Sequence, residues 1–426
     1  MRYQSQQNRE GRLDWIAVML YALLLLIGWL NIYSVTTDVN QESFQPSATA
    51  FKQLVWIGGA ILIITVVSYT NIVFINYLSY YVYGLVILLN ISVLFFGREV
   101  AGAKSWFGFG GIGIQPSEFA KLATAMALGK FLGGYGMRFK GLKNIAISVG
   151  IISLPLIIVL AQNDTGTALI FFSFYLVLYR EGMPGYILLS SVWFGILAVV
   201  SIYLNSYNIS IYWLYGILIG LSVLSAALFY FLPKFKQILL AIGVVVAISL
   251  AFSTVVGYAY DKLLKEYQKD RIEIVLGLKA DPRGMGYNLD QSKIAIGAGQ
   301  WNGRGFLNGS QTKMGFVPEQ HTDFIFCTIG EEWGFLGVFI FFTIYLSLII
   351  RLILIAERQS DTYGRILGYS GASIFFFHWL INIGMTIGLV PVIGIPLPFI
   401  SFGGSSLWGF TLLLFVFLRY DQVRRI

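Results

Sequence analysis

Apolar residues in this chain fall into runs close to twenty long, separated by short polar or charged linkers. A helix needs about 20 apolar residues to cross the hydrocarbon core of a bilayer, so each run reads as a membrane segment. Twelve are predicted, at 15–34, 53–69, 75–96, 118–135, 144–161, 167–180, 186–205, 210–231, 238–256, 323–349, 366–389 and 404–418. The expected fold is an all-α polytopic integral membrane protein, a helical bundle of about twelve segments. The segment at 118–135 is the least typical because Glu118, Lys121 and Lys130 lie inside it, and the run at 167–180 is short. The first run, Trp15 to Tyr33, continues without a small-residue cleavage site and reads as a retained helix.

An even number of segments puts both termini on one side of the membrane. With that side taken as cytoplasmic, its linkers and tails carry sixteen Lys and Arg, whereas the short loops opposite carry only Lys52, Arg98 and Lys104. Positive residues stay on the cytoplasmic side, which fixes the expected orientation. The stretch 257–322 then lies outside and is too long for a plain connector. It opens on a charged, helix-like stretch, 261–279, and turns rich in Gly and Asn over 281–311. Ile294, Ile296, Phe306 and Phe316 give it apolar material with which to dock. The expected organisation is an N-terminal membrane bundle (1–256), an extracytoplasmic loop (257–322) and three C-terminal segments with a short tail (323–426).

Composition excludes other classes. Only 12 % of the 426 residues are charged and 57 % are apolar, with a mean hydropathy of +0.74. A soluble domain carries about a quarter charged residues, so this chain has too few to cover a water-facing surface. The formal charge of +8 sits largely in the short linkers, where cytoplasmic retention accounts for it, and nucleic acid is not an expected partner. One cysteine, Cys327, and two histidines, His321 and His378, leave no thiolate cluster and no multi-histidine zinc site.

Candidate chemistry is concentrated in a few stretches. The pattern Gly108-x-Gly110-x-x-Gly113 has the spacing of a dinucleotide fingerprint, but it lies in a loop between membrane segments rather than in a βαβ unit. In QPSEFAK, Pro116 suits a first helical turn, and Glu118 and Lys121 share a helix face. Their pair either locks the fourth segment to its neighbours or lines a polar cavity, with Gln115 and Ser117 beside it. Asp164 sits at an external turn, where it caps the next helix with Thr165 or Thr167, or serves a site.

Asp281 precedes Pro282 in a glycine-rich external turn beside Arg283. A carboxylate there can form the turn, bind a cation or act as a general base toward a sugar hydroxyl. Gln291, Ser292, Lys293 and Arg304 stand among glycines whose N–H groups, with the cationic side chains, can cradle phosphate oxygens. At the mouth of the tenth segment lie Glu319, His321, Thr322 and Asp323, with Thr322 or Asp323 expected to cap the helix. Glu331 and Glu332 follow inside that segment, and at least one is expected to face protein and to pair with a buried cation such as Lys121. Pro391, Pro396 and Pro398 prevent a regular helix and predict a rigid re-entrant stretch, with Ser401, Ser405 and Ser406 as polar contacts.

Taken together, QPSEFAK (115–121), DPRGMGY (281–287), QSKIAIG (291–297), HTDFIF (321–326), GEEWG (330–334), NIG (382–384) and PLPFISFGGSSL (396–407) resemble the SEDS family of shape, elongation, division and sporulation proteins. The match spans nearly the whole chain, and QSKIAIG followed by GRGFLNGSQTK resembles the elongation branch more than the division branch. The resemblance implies a peptidoglycan glycosyltransferase of the cytoplasmic membrane that polymerises lipid II into glycan strands. It also implies work beside a class B penicillin-binding protein and other elongation-complex membrane proteins. The family's essential aspartate falls on Asp281, and its paired charges fall on Glu118 and Lys121. No organic cofactor is implied; Lys293, Arg304, Lys104 or a divalent Mg²⁺ or Mn²⁺ would neutralise the leaving pyrophosphate.

Members usually have ten spans, so the surplus pair is expected within 186–237. The family's QPDLGT reads QNDTGT here and keeps Asp164, whereas GAxRW reads GAKSW, with Ser105 at the arginine position. The usual SGG after the QS motif is Ala298-Gly299-Gln300. Two other classes compete with the enzyme: a lipid II flippase, which such broken segments and internal charges also suit, and a scaffold that organises a penicillin-binding partner.

Overall fold

The computed structural model describes residues 13–37, 47–100, 102–109, 112–134, 141–207, 209–231, 235–262, 266–276, 278 and 285–423. Contacts divide the chain into two units, Met1–Met183 with Tyr287–Ile426, and Pro184–Gly286.

The first unit begins with α1 (Trp15–Thr36), α2 (Ala48–Tyr69) and α3 (Ile72–Phe96). Each starts on a side-chain cap: Asp14, Ser47 and Asn71 accept from the N–H groups of Ala17, Ala50 and Val73. The segment expected to be a plain external loop then folds into strands β1 (Arg98–Val100), β2 (Ala103–Phe109) and β3 (Ile112–Ile114). They form an antiparallel meander in the order β1-β2-β3. No helix intervenes between these strands, so the Gly108–Gly113 pattern has no dinucleotide fold, and the all-α expectation gains a small sheet.

Next come α4 (Pro116–Leu132), α5 (Leu142–Ala161), α6 (Thr165–Ile170) and α7 (Phe174–Arg180). Pro116 occupies the first turn of α4 as expected. A 3₁₀ turn at Phe171–Ser173 joins α6 to α7, so the short sixth segment is an interrupted helix. The unit resumes with α12, after the second unit's four helices named below. Its elements are α12 (Met285–Gly299), α13 (Ser310–Lys313), α14 (Ile325–Glu357), α15 (Thr362–Thr386) and α16 (Gly404–Gln422). The stretch read as a glycine-rich loop around 291–299 is therefore helical, and its N–H groups belong to α12.

The core of this unit is packed where α4 meets α3, α15 and α16, where α1 and α15 meet α14, and where α2 meets α16. Small residues permit these approaches: a Cβ at Gly409 of α16 would lie 3.2 Å from the Glu118 carbonyl oxygen. At the end where α1 begins and α14 ends, ion pairs tie the helices together. Arg351 and Arg358 bind Asp14 at 2.8 and 3.2 Å, Arg358 also binds Asp421, and Arg365 binds Glu181 at 2.8 Å.

The second unit contains α8 (Gly185–Ser206), α9 (Tyr212–Leu228), α10 (Phe235–Lys262) and α11 (Glu266–Val275). Its ninth-segment helix runs past the expected end at 256, and α11 realises the charged helix read from 261–279. A small cluster of Leu197, Leu214 and Leu218 holds it together.

Among the described residues, eight helices (α1, α2, α3, α5, α8, α10, α14 and α15) are long and apolar enough to cross a membrane. The protein is a multi-pass membrane protein. The other four expected segments are also helical: α9 and the α6–α7 stretch are apolar but shorter, α4 is largely buried, and α16 carries polar residues.

Candidate functional site

The fourth segment supplies two chemically different faces. Glu118 and Lys121 form a 2.8 Å ion pair with both side chains 2 % exposed. Lys121 Nζ also lies 3.0 Å from His378 Nε2 and 4.5 Å from the centre of the Phe410 ring. An ammonium only donates, so Nε2 accepts, and the Nδ1–H of His378 donates to the Pro396 carbonyl at 3.0 Å. The ion pair is thereby joined to the proline-rich stretch. Phe119, Leu122 and Met126 on another side of α4 line an apolar groove of about 630 Å³, together with residues of α2, α3 and α16.

At the turn before α6, Asp164 caps the helix by accepting from Thr167 N at 3.0 Å, and its other oxygen accepts from Gln115 Nε2 at 2.8 Å. Burial pushes its carboxyl above the ordinary range, against the Thr167 and Gln115 hydrogen bonds and the charge of Lys121. Capping and proximity to the polar core thus coincide in one residue. Ser117 and Ser405 bury their hydroxyls without a hydrogen-bond partner among the described residues. Ser406 donates to the Gly403 carbonyl at 3.3 Å, and Ser401 donates to Thr322 O at 2.6 Å while accepting from Leu397 N.

The tenth segment corrects two expectations. Neither Thr322 nor Asp323 caps it: α14 starts after Phe324 with no side-chain cap. Thr322 Oγ1 turns to Glu319, and the Asp323 carbonyl accepts from Asn382, which also donates to Ile395 O at 2.7 Å. Burial pushes the His321 imidazole below its usual value, with Glu319 opposing the shift. Glu331 and Glu332 do not pair with Lys121, whose partner is Glu118 on its own helix one turn away. Instead, Glu331 accepts from Gln311 N, Thr312 N, Thr312 Oγ1 and Ser310 Oγ at 2.7 to 3.1 Å, and Glu332 accepts from Ser34.

Gly334, with φ of 62°, breaks α14 just beyond these carboxylates. The opened backbone is met by the segment after α12. Arg304 N and Gly305 N donate to the Glu331 and Glu332 carbonyls, while Phe335 N and Leu336 N donate to Gln300 O and Trp301 O, all at 2.8 to 3.1 Å. Broken backbone in a membrane protein is tolerated where protein satisfies it, and here the loop does so. The sequence reading missed this joint, although Gly334 within GEEWG was its one visible signal.

Of the proposed phosphate-binding residues, Ser292 is buried and donates to Thr386 O at 3.0 Å. Gln291 lies half-buried on α12, Lys293 is exposed and 3.6 Å from Asp290, and the Arg304 side chain is exposed. Lys104 is held against Phe95 O at 3.2 Å and is separate in sequence from α12. Asp281 lies outside the described residues, as do Pro282 and Arg283. Among the described residues no three His, Cys, Asp or Glu side chains gather into a metal site.

The FtsW/RodA/SpoVE family model, described as a cell cycle protein, matches residues 14–216 and 215–425. The chain belongs to this family. Its SEDS relatives include the peptidoglycan glycosyltransferase RodA of Treponema pallidum (strain Nichols), 34 % identical over 93 % of this chain and 94 % of that protein. A chain from a solved peptidoglycan synthase complex, which coordinates polymerization and crosslinking, is 25 % identical, with a TM-score of 0.71 over 96 % of this chain and 98 % of that one. The crystal structure of the Thermus thermophilus rod shape determining protein RodA shares the fold, with a TM-score of 0.61 at 22 % identity over 97 % and 98 % of the two chains.

Proposed function

We propose that this SEDS protein is a peptidoglycan glycosyltransferase that polymerises lipid II during cell elongation, with Asp281 as its general base. The supporting observation is the arrangement on α4, where a buried polar chain and an apolar groove of about 630 Å³ occupy different sides of one helix. A substrate with a polyprenyl tail needs such a groove, and the buried Glu118–Lys121 pair, tied to His378, anchors the helix that lines it. Asp281 enters by its position in the DPRGMGY motif.

In the reaction, the carboxylate of Asp281 takes the proton of the acceptor sugar's 4-hydroxyl. That oxygen attacks C1 of the donor MurNAc, the new C1–O bond forms with inversion, and the bond from C1 to the phosphate oxygen breaks. Undecaprenyl pyrophosphate leaves with the electron pair. Lys293 and Arg304, both exposed, are the cations assigned to its developing charge. A Mg²⁺ or Mn²⁺ ion, if bound, would add to that neutralisation.

The proposed setting is the cytoplasmic (inner) membrane, with both termini inside, twelve crossings, and the loop 257–322 outside. The extra pair then comprises helices in the stretch 186–237, α8 and α9. A class B penicillin-binding protein is the proposed partner that crosslinks the product, with other elongation-complex membrane proteins around it. The test is polymerisation of purified lipid II in detergent by the full chain with a class B partner. Asp281→Ala should abolish glycan strands, with expression and partner binding intact. Full polymerisation by that variant overturns the assignment, and translocation without polymer by the unaltered chain would establish the flippase instead.

A further inference from the structure

A second cavity, of about 580 Å³, opens where the α2–α3 turn, the end of α4, the α14–α15 turn and the end of α16 come together. Val73, Asn76, Tyr77, Lys130, Asp361 and Tyr420 line it. It lies away from the apolar groove's sheet-side lining, and nothing in the glycosyl transfer uses it.

The two charges facing this cavity are both left standing. Lys130 Nζ donates to Asn76 O at 2.9 Å and Tyr77 O at 2.8 Å, and lies 5.5 and 5.1 Å from the ring centres of Tyr77 and Tyr80. Carbonyls and ring faces solvate an ammonium without neutralising it, and one of its three N–H groups remains. Asp361 Oδ2 accepts from Tyr420 OH at 2.5 Å, again a neutral partner. Among the described residues, neither Lys130 nor Asp361 forms an ion pair with any group, including each other. One wall therefore presents a positive charge and another a negative charge, too far apart to pair directly.

We propose that this cavity is a headgroup site for a zwitterionic phospholipid of the phosphoethanolamine class. The phosphodiester takes the remaining N–H of Lys130, and the primary ammonium donates to the Asp361 carboxylate. The acyl chains leave along the outer face of α3, where Val73 is 62 % exposed. A primary amine is required because a trimethylated choline has no N–H to give the carboxylate. An anionic glycerol headgroup satisfies Lys130 alone and sets a phosphate near Asp361 with no compensating cation.

The test uses the purified full chain in delipidated detergent micelles. Dioleoyl phosphatidylethanolamine, phosphatidylcholine and phosphatidylglycerol are titrated separately, and bound lipid is counted by native mass spectrometry. Phosphatidylethanolamine should be retained about tenfold more tightly than phosphatidylcholine, the scale of one charge-assisted hydrogen bond. Asp361→Asn should bring it down to the phosphatidylcholine level, and Lys130→Gln should weaken retention of both lipids about equally, because both carry the phosphodiester. Asp361 is exposed, so its variant reports even if Lys130→Gln does not fold. Equal retention of the three lipids, preference for phosphatidylglycerol, a preference that survives Asp361→Asn, or full displacement by inorganic phosphate would each overturn the proposal.

Discussion

The two units use the same apolar alphabet differently. In Met1–Met183 with Tyr287–Ile426, buried charges have named partners: Lys121 with Glu118 and His378, Asp164 with Gln115 and Thr167, and Glu331 with three donor residues of the 310–312 turn. In Pro184–Gly286 the helices bury little beyond Leu197, Leu214, Leu218, Tyr260 and the serines Ser201, Ser249 and Ser253. Lipid tails are as apolar as leucine, so side-chain hydrophobicity alone does little to choose one helix arrangement over another in a bilayer. Polar groups carry that choice, because leaving one unpaired in hydrocarbon is costly. The first unit is thus specified by fully buried polar contacts and small-residue approaches, whereas polar contacts of the second, such as Trp193 with Ser249 and Asn205 with Asp261, are part-buried or exposed.

The contrast is open to direct attack. Lys121→Met leaves the Glu118 carboxylate buried and uncompensated, and should cost about 3–5 kcal/mol in unfolding measured in micelles. Adding Glu118→Gln should restore most of that loss; a double variant as unstable as the single would show that the pair itself is not what matters. Glu331→Ala strands the Gln311 and Thr312 N–H groups and should cost about 2–3 kcal/mol. Hydrogen exchange should quicken over 304–313 first, and uniform quickening across the bundle would deny the local joint. In the second unit, Leu197→Ala should cost only about 1 kcal/mol, below the usual ~2–5 for a soluble core, because tails can refill the space. A loss as large as that of Lys121→Met would erase the distinction between the units.

The smallest effect is expected from acid at the Asp14 cluster. Burial would raise the Asp14 pKa, but hydrogen bonds from Arg351 and Ala17 and the Arg351 and Arg358 charges outweigh it and hold it below the usual value. A carboxylate depressed in the fold stabilises fully above its unfolded pKa, about 3.9, and this contribution disappears as pH falls through the lower folded value. Unfolding midpoints should therefore drop slightly more below about pH 4 in the parent than in Asp14→Asn. Parallel acid curves would remove Asp14 from the account.

Much of the molecule was legible along the chain because membrane burial is written in run length. All twelve expected segments are helical, and Pro116, Asp164 and the Glu118–Lys121 pair sit as their local spacing requires. These are neighbours in sequence, joined through one helical turn or one cap. The proline-rich stretch 391–398 is irregular, as three prolines dictate.

What sequence could not decide was which distant partner a polar group would take. Glu331 and Glu332 offered carboxylates to any buried cation, yet donors from 310–312 and from Ser34 satisfy them. Thr322 and Asp323 stood at the right place to cap α14, but the Thr322 hydroxyl turns to Glu319 and α14 begins after Phe324 with no side-chain cap. Glycines near 297 and 299 suggested a loop, although helix packing holds them in α12. Run length and adjacent spacing determine which segments are helical and which neighbours pair, since those energies are local. The pairing of His378 with Lys121, 257 residues away, and the docking of 300–305 into the break at Gly334 depend on three-dimensional proximity. Only the folded bundle decides them, because a buried polar group bonds to whichever donor the packing brings within reach.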